Sequence, residues 1–101
     1  MTEAKKGLYD SLEGVLEEAL AQASGGKGHE RHADGQPFDN QPILRITRDV
    51  GIGFPSGQAI KKTVEAVGCY GTVPDRAIAD LLGAINYLAA TILFIREQRK
   101  S

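Results

Sequence analysis

The sequence is poor in cysteine, in net charge and in unbroken apolar runs, and each shortage removes a class of protein. Cys69 is the only cysteine. That excludes an intramolecular disulfide and any cysteine-rich metal site, and it fits a reduced, cytoplasmic setting. The formal net charge is −1, whereas a general DNA or RNA binder is normally basic. The first ten residues, MTEAKKGLYD, hold no apolar stretch of the kind a secretory signal needs. The most apolar run, Ala77–Ile95, is interrupted by Asp80 and Asn86. It reads as a buried helix rather than a membrane span.

With 101 residues the chain is one domain at most. Its charge is unevenly placed. Residues 1–26 carry two lysines against five acids, residues 27–62 six Lys/Arg against four acids, and residues 63–101 four against four. The middle third, which also holds both histidines, is the positive region.

Helical spacing dominates. Residues 3–23 place Leu8, Leu12, Val15, Leu16, Ala19, Leu20 and Ala23 three and four apart, and Ser24-Gly25-Gly26 ends the pattern. Residues 24–41 form a polar connector, long enough to be either functional or without fixed structure. Pro42–Val50 reads as a short helix with Ile43, Ile46 and Val50 on one face, although ILRIT also alternates like a strand. GIGFPSG then breaks the chain, and a helix from Pro55 to about Val67 takes Ile60, Val64 and Val67 as its buried stripe. The last helix runs from about Pro74 to Arg99. Its apolar positions cover more than one face, so partners are required on two sides. The expected fold is all-α, a single helical domain over 1–101 with three or four helices and a long C-terminal core helix. A homo-oligomer built on that helix is the natural way to cover it.

Several groups are candidate ligand contacts, each with a plainer reading beside it. In GIGFPSG-QAIKK the glycines Gly53 and Gly57 open the backbone at a helix start, and Lys61 and Lys62 follow. That arrangement suits an anion, or it is a turn with two solvated lysines. It is neither of the familiar phosphate loops, since Gly-Lys-Ser/Thr is absent and the third glycine is one residue late for GxGxxG. Arg45 and Arg48 share a helix face and suit phosphate or carboxylate, or they pair with Asp49 or an acid of the first helix. In His29-Glu30-Arg31-His32 the histidines are three apart, not the HExxH spacing. Arg31, His32 and Gln58 are candidates for polar contacts to a ligand. Phe38 and Phe54 stand off any helical stripe, so they anchor loops to the core or stack on a planar ligand. Asn86 inside the apolar helix sets packing register or faces a site.

No catalytic constellation is legible. Cys69, His32 and an acid have no local signature of a nucleophilic site. The paired ExxE and ExxD helices of all-α nucleotide pyrophosphohydrolases are missing: Glu13 and Glu17 are four apart, and the last two helices carry no acids three apart. Nothing in these patterns calls for a cofactor or a metal.

From Gly28 onward, GHERHADGQPFDNQPILRITRDVGIGFPSGQAIKKTVEA and then ADLLGAINYLAA resemble small uncharacterised helical proteins encoded by phages and prophages, over roughly residues 26–95. The resemblance implies an accessory protein working in a bacterial cytoplasm. Small oligomeric phage proteins of this size include inhibitors that sequester nucleotide immune signals. The expectation is therefore a non-catalytic, homo-oligomeric anti-defence protein that sequesters a phosphorylated nucleotide, either a cyclic nucleotide or an ADP-ribose derivative. The alternative is a helical protein-interaction module that inhibits or adapts a host protein.

Overall fold

The computed structural model describes residues 7–25 and 35–100. Among them are four α-helices and no strand: α1 (Asp10–Gly25), α2 (Pro42–Val50), α3 (Gly53–Cys69) and α4 (Pro74–Lys100). A single 3-10 turn, Phe38–Asn40, precedes α2. The helical fold, the four helices and the long C-terminal element match the expectation, and Pro42–Val50 is helix rather than strand.

Proline opens two of the helices. Pro42 and Pro74 each stand at the first helical position, where no intrahelical N–H bond is lost. Asp75 in the first turn of α4 and Arg99 and Lys100 in the last suit its dipole. Between α2 and α3 the chain turns at Gly51 (φ 103°, ψ 173°), whose N–H caps α2 by donating to the Thr47 carbonyl at 2.7 Å. That backbone region is open essentially to glycine alone.

α3 and α4 form the body of the molecule. Only Tyr70–Val73 joins them, and they fold back as an antiparallel hairpin. Phe54 at the start of α3 meets Tyr87, and Lys62 lies over Gly83 nearer the turn. Small residues make the close approach: Ala59 and Ala66 are buried on α3, and Ala77, Gly83, Ala84 and Ala90 on α4. A Cβ placed on Gly83 would stand 3.1 and 3.2 Å from Lys62 Cδ and Cε. α1 lies antiparallel to α4 and is held by two amide bonds of opposite direction. Gln22 Nε2 donates to the Ala79 carbonyl and Asn86 Nδ2 to the Ala19 carbonyl, each at 3.0 Å. α2 bridges the 3-10 turn, α3 and α4.

The large apolar side chains are not where periodicity alone places them. Ile60, Val64 and Val67, expected as the buried stripe of α3, are each about two-thirds exposed (66%, 66% and 64%). On α2, Ile46 and Val50 face out while Leu44 and Thr47 are fully buried. Thr47 satisfies its hydroxyl by donating to the Ile43 carbonyl at 2.6 Å. On α1 only Ala19 is buried, and Leu12, Val15, Leu16 and Leu20 are exposed, as is Leu8 just before it. The most apolar 18-residue window of α4 has a mean hydropathy of 1.9, and 17% of it is buried within the chain. α4 is long and apolar enough to cross a membrane, by length and composition alone, and most of that window is not fully buried within the single chain. On α3 and α4 the reason is shared: a helix pair closes most tightly over alanine and glycine, so the small-residue face turns inward. α2 instead turns Leu44 and Thr47 inward.

Two substitutions test this account. Gly51→Ala should cost about 1–3 kcal/mol from the backbone conformation alone. The site itself has room for the methyl group, since nothing stands within 4 Å. Gly83→Ala should instead be neutral or stabilising by up to ~1 kcal/mol, because the flexible Lys62 stem can swing away and helix propensity improves. Urea unfolding of the two variants measures both.

Candidate functional site

One open cleft of about 480 Å³ lies between α1, the 3-10 turn and α4. This is within the ordinary size range of small-molecule pockets. Leu16 and Leu20 of α1 form one wall, and Ile85 and Ala89 of α4 the other. Pro37 and Phe38 line it as well. The polar residues Ser24, Gln36, Gln41 and Asn86 complete the lining, and no charged residue lines it among the described residues. An apolar slot lined by one aromatic and a few amide residues suits a flat, partly apolar group with polar edges.

The wall carrying Phe38 is built by a local network. Asn40 N–H donates to the Pro37 carbonyl at 2.9 Å and Gln41 N–H to the Phe38 carbonyl at 3.1 Å, which closes the 3-10 turn. Gln41 Nε2 then donates to the Gln36 carbonyl at 2.9 Å. Arg48 clamps the turn from outside. One guanidinium nitrogen donates to the Asp39 carbonyl and to Glu97, and Nε donates to the second Glu97 oxygen at 3.0 Å. A residue of α2 thus ties the turn bearing Phe38 to the C-terminal end of α4. The Arg48 hydrogen bond holds the Glu97 carboxyl below the usual carboxylate range, and the same bond holds the guanidinium proton more firmly still. Asn86 has two roles: its amide sets the α1–α4 register and its side chain lines the cleft.

The structure does not gather the sequence-derived site residues into one place. Phe38 is at the cleft. Phe54 instead packs edge-to-face on Tyr87, with centroids 6.1 Å apart and planes at 88°, the geometry of a core anchor. Arg48 is engaged by Glu97 and Asp39. Arg45 and Lys61 are exposed and make no ion pair with the described residues. Lys62 is half-buried, its stem over Gly83. Gly53 and Gly57 are open, with nothing within 4 Å of a notional Cβ. At that helix start the Phe54 and Ser56 N–H groups already donate to the Gly51 and Ile52 carbonyls, and Pro55 has none to offer. Gln58 is half-buried on the same helix. Arg31 and His32 lie outside the described residues, although Ser24 and Gln36, on either side of that segment, both line the cleft.

Sequence reasoning missed Leu16, Leu20, Ile85 and Gln41 as cleft residues. Only the tertiary placement of α1, α4 and the 3-10 turn brings them together; in the sequence Leu16, Leu20 and Ile85 are ordinary helix residues and Gln41 is the end of the connector. Among the described residues no group of three His, Cys, Asp or Glu side chains is placed to hold a metal ion. Comparison with known proteins finds no matching family model, no similar curated sequence and no similar solved structure.

The Arg48–Glu97 clamp predicts a pH dependence of stability. A carboxyl whose pKa is depressed by folding stabilises the folded state above its ordinary pKa, and that contribution fades as pH falls through the folded value. Glu97→Gln should therefore lower the unfolding midpoint at neutral pH. The gap between variant and parent should close below the ordinary glutamate range. Thermal unfolding across a pH series from neutral to acid checks it.

Proposed function

We propose that the protein is a non-catalytic binding protein that takes the base of a phosphorylated nucleotide in the cleft between α1 and α4. The observation that carries this reading is the cleft itself: a largely apolar lining that includes Phe38 and the amide residues Gln36, Gln41 and Asn86. A nucleobase needs that combination of a flat apolar surface and polar edges. Phosphate falls to basic groups outside the cleft. Arg45 and Lys61 are exposed and unpaired with described residues, and both belong to the positive middle third of the chain. Holding a ligand without converting it requires no acid–base pair. Together with the resemblance to phage-encoded proteins, this supports sequestration of a nucleotide signal. A specific observation also favours a second reading, a helical protein-interaction module: bulky apolar residues stand exposed along α1, α3 and α4.

Thermal unfolding with a panel of linear and cyclic nucleotides and ADP-ribose derivatives, beside inorganic phosphate, tests the first reading. A ligand at 100 times its Kd adds about 2.7 kcal/mol, which for a domain of this size raises Tm by roughly 10 °C or more. Phe38→Ala should abolish that shift and Lys61→Glu should weaken it. The ligand should be recovered intact from the denatured complex. No shift with any member of the panel overturns the nucleotide reading and favours the interaction module.

A further inference from the structure

The longest helix carries a coiled-coil seam that its own chain covers only in part. Ile78, Leu81, Ile85, Leu88, Ile92 and Ile95 follow one another at spacings of three and four. That is the a/d pattern of a heptad repeat, with isoleucine at every a position. It runs for about 26 Å of helix. Ile85 is half-buried at the cleft, whereas the other five are between 41% and 51% exposed. α3 has taken the opposite, alanine-lined side of α4. From Leu81 to Ile95 there is no charged residue.

We infer that the occupant of this seam is a second copy of the chain, lying antiparallel to the first. The orientation follows from charge. The N-terminal end of α4 bears Asp75 and Asp80 against Arg76, and the C-terminal end bears Arg96, Arg99 and Lys100 against Glu97. Glu97 is already held by Arg48. In an antiparallel pair each a residue faces a d residue of the other helix: Ile78 with Ile95, Leu81 with Ile92, Ile85 with Leu88. Asp75 and Arg96 both fall at the e position, and this register sets them beside each other twice, once at each end. Arg99 then lies next to Asp75 of the second copy. A parallel pair instead puts Arg99 opposite Arg99 across the seam and aligns the two helix dipoles head to head. Asp75 and Arg96 are exposed and form no ion pair with described residues in the single chain, so both are available. Because Ile85 belongs to the seam and to the cleft, Leu88 of the second copy closes over the edge of the cleft. The inference stands on the helix alone and does not require the nucleotide reading.

The full chain with Cys69→Ser provides the test. Light scattering after gel filtration at about 50 µM should give twice the 10.8 kDa chain mass or an even multiple of it. Leu88→Glu replaces a residue that is half exposed, so helicity by circular dichroism should persist while the dimer dissociates at least 100-fold more readily. Asp75→Arg and Arg96→Asp should each weaken the dimer about tenfold, and the two together should restore it. Mixing Ile78→Cys with Ile95→Cys should yield the mixed disulfide on oxidation. A monomer at this concentration overturns the inference, as does a dimer indifferent to Leu88→Glu. So does cross-linking of Ile78→Cys to itself, which marks a parallel pair. Co-flotation with neutral phosphatidylcholine vesicles would assign the seam to lipid instead. Ligand-induced Tm shifts in a monomer, or a dimer that binds no nucleotide, separate this inference from the nucleotide reading.

Discussion

The contact on which the rest of the molecule depends is the crossing of α3 and α4 through alanine and glycine. Ala59 and Ala66 are buried on α3 and Ala77, Gly83, Ala84 and Ala90 on α4, and these two helices make the most extensive helix–helix contact in the structure. Dispersion gained over a long, tight interface stands in for the bulk of leucine-filled cores. The same choice determines which residues are left over. Leu44 is the only bulky aliphatic side chain buried outright among the described residues, and many other large apolar side chains are exposed. A chain folded in this way keeps small residues inside and leaves much bulky apolar surface outside. Both the cleft and the seam of α4 are consequences of that inversion.

Around this hairpin, polar bonds do the positioning. α1 has one buried residue, Ala19, and its place on α4 is set by two side-chain amides donating to opposing carbonyls. Each bond leaves a helix carbonyl with two donors, its own intrahelical N–H and the amide, which its two lone pairs accommodate. α2 is pinned by Arg48, whose guanidinium spans the 3-10 turn and the end of α4. An arginine that periodicity offers as an anion ligand is here a structural clamp. Its planar fork meets both oxygens of one carboxylate, a geometry that a lysine cannot reproduce. Its consequence for function is indirect: it holds the turn that places Phe38 at the cleft.

The cleft and the seam share Ile85, and this gives the architecture its economy. A helix with a 3.5-residue apolar stripe and a separate small-residue face can pack inside its own chain and still present a complete seam outward. Asn86, one residue on, is turned toward α1 and the cleft. A single helix therefore supplies the core contact, one wall of the candidate site and the seam proposed for a second chain. Gly51 contributes from a distance, because its backbone conformation directs α2 across the end of the hairpin instead of continuing along α3.

Much of the local structure was legible in the residues. Pro42 and Pro74 mark helix starts, the glycines around residue 51 mark the break, and the 3.6-residue spacing marks four helices, one of them long. Those signals are local, acting over a turn or two of chain, so a sequence carries them openly. Asn86 was likewise visible as an amide out of place in an apolar helix, for either of the two roles it combines. The rotation of each helix was not legible. Periodicity identifies an apolar face on α3 and on α2, but Ile60, Val64 and Val67 point outward and Leu44 and Thr47 inward. The choice between an apolar face and an alanine face is made by the neighbour, not by the helix. The cleft is of the same kind: Leu16, Phe38 and Ile85 are far apart in the chain and meet only where α1 crosses α4. The sequence by itself determined the helices and the proline-marked starts of α2 and α4, because capping and propensity are local. Only the tertiary structure decided which face of each helix is core, that Arg48 is a clamp, and that Phe38 and not Phe54 stands at the cleft, because those outcomes depend on which helices approach closely enough to touch.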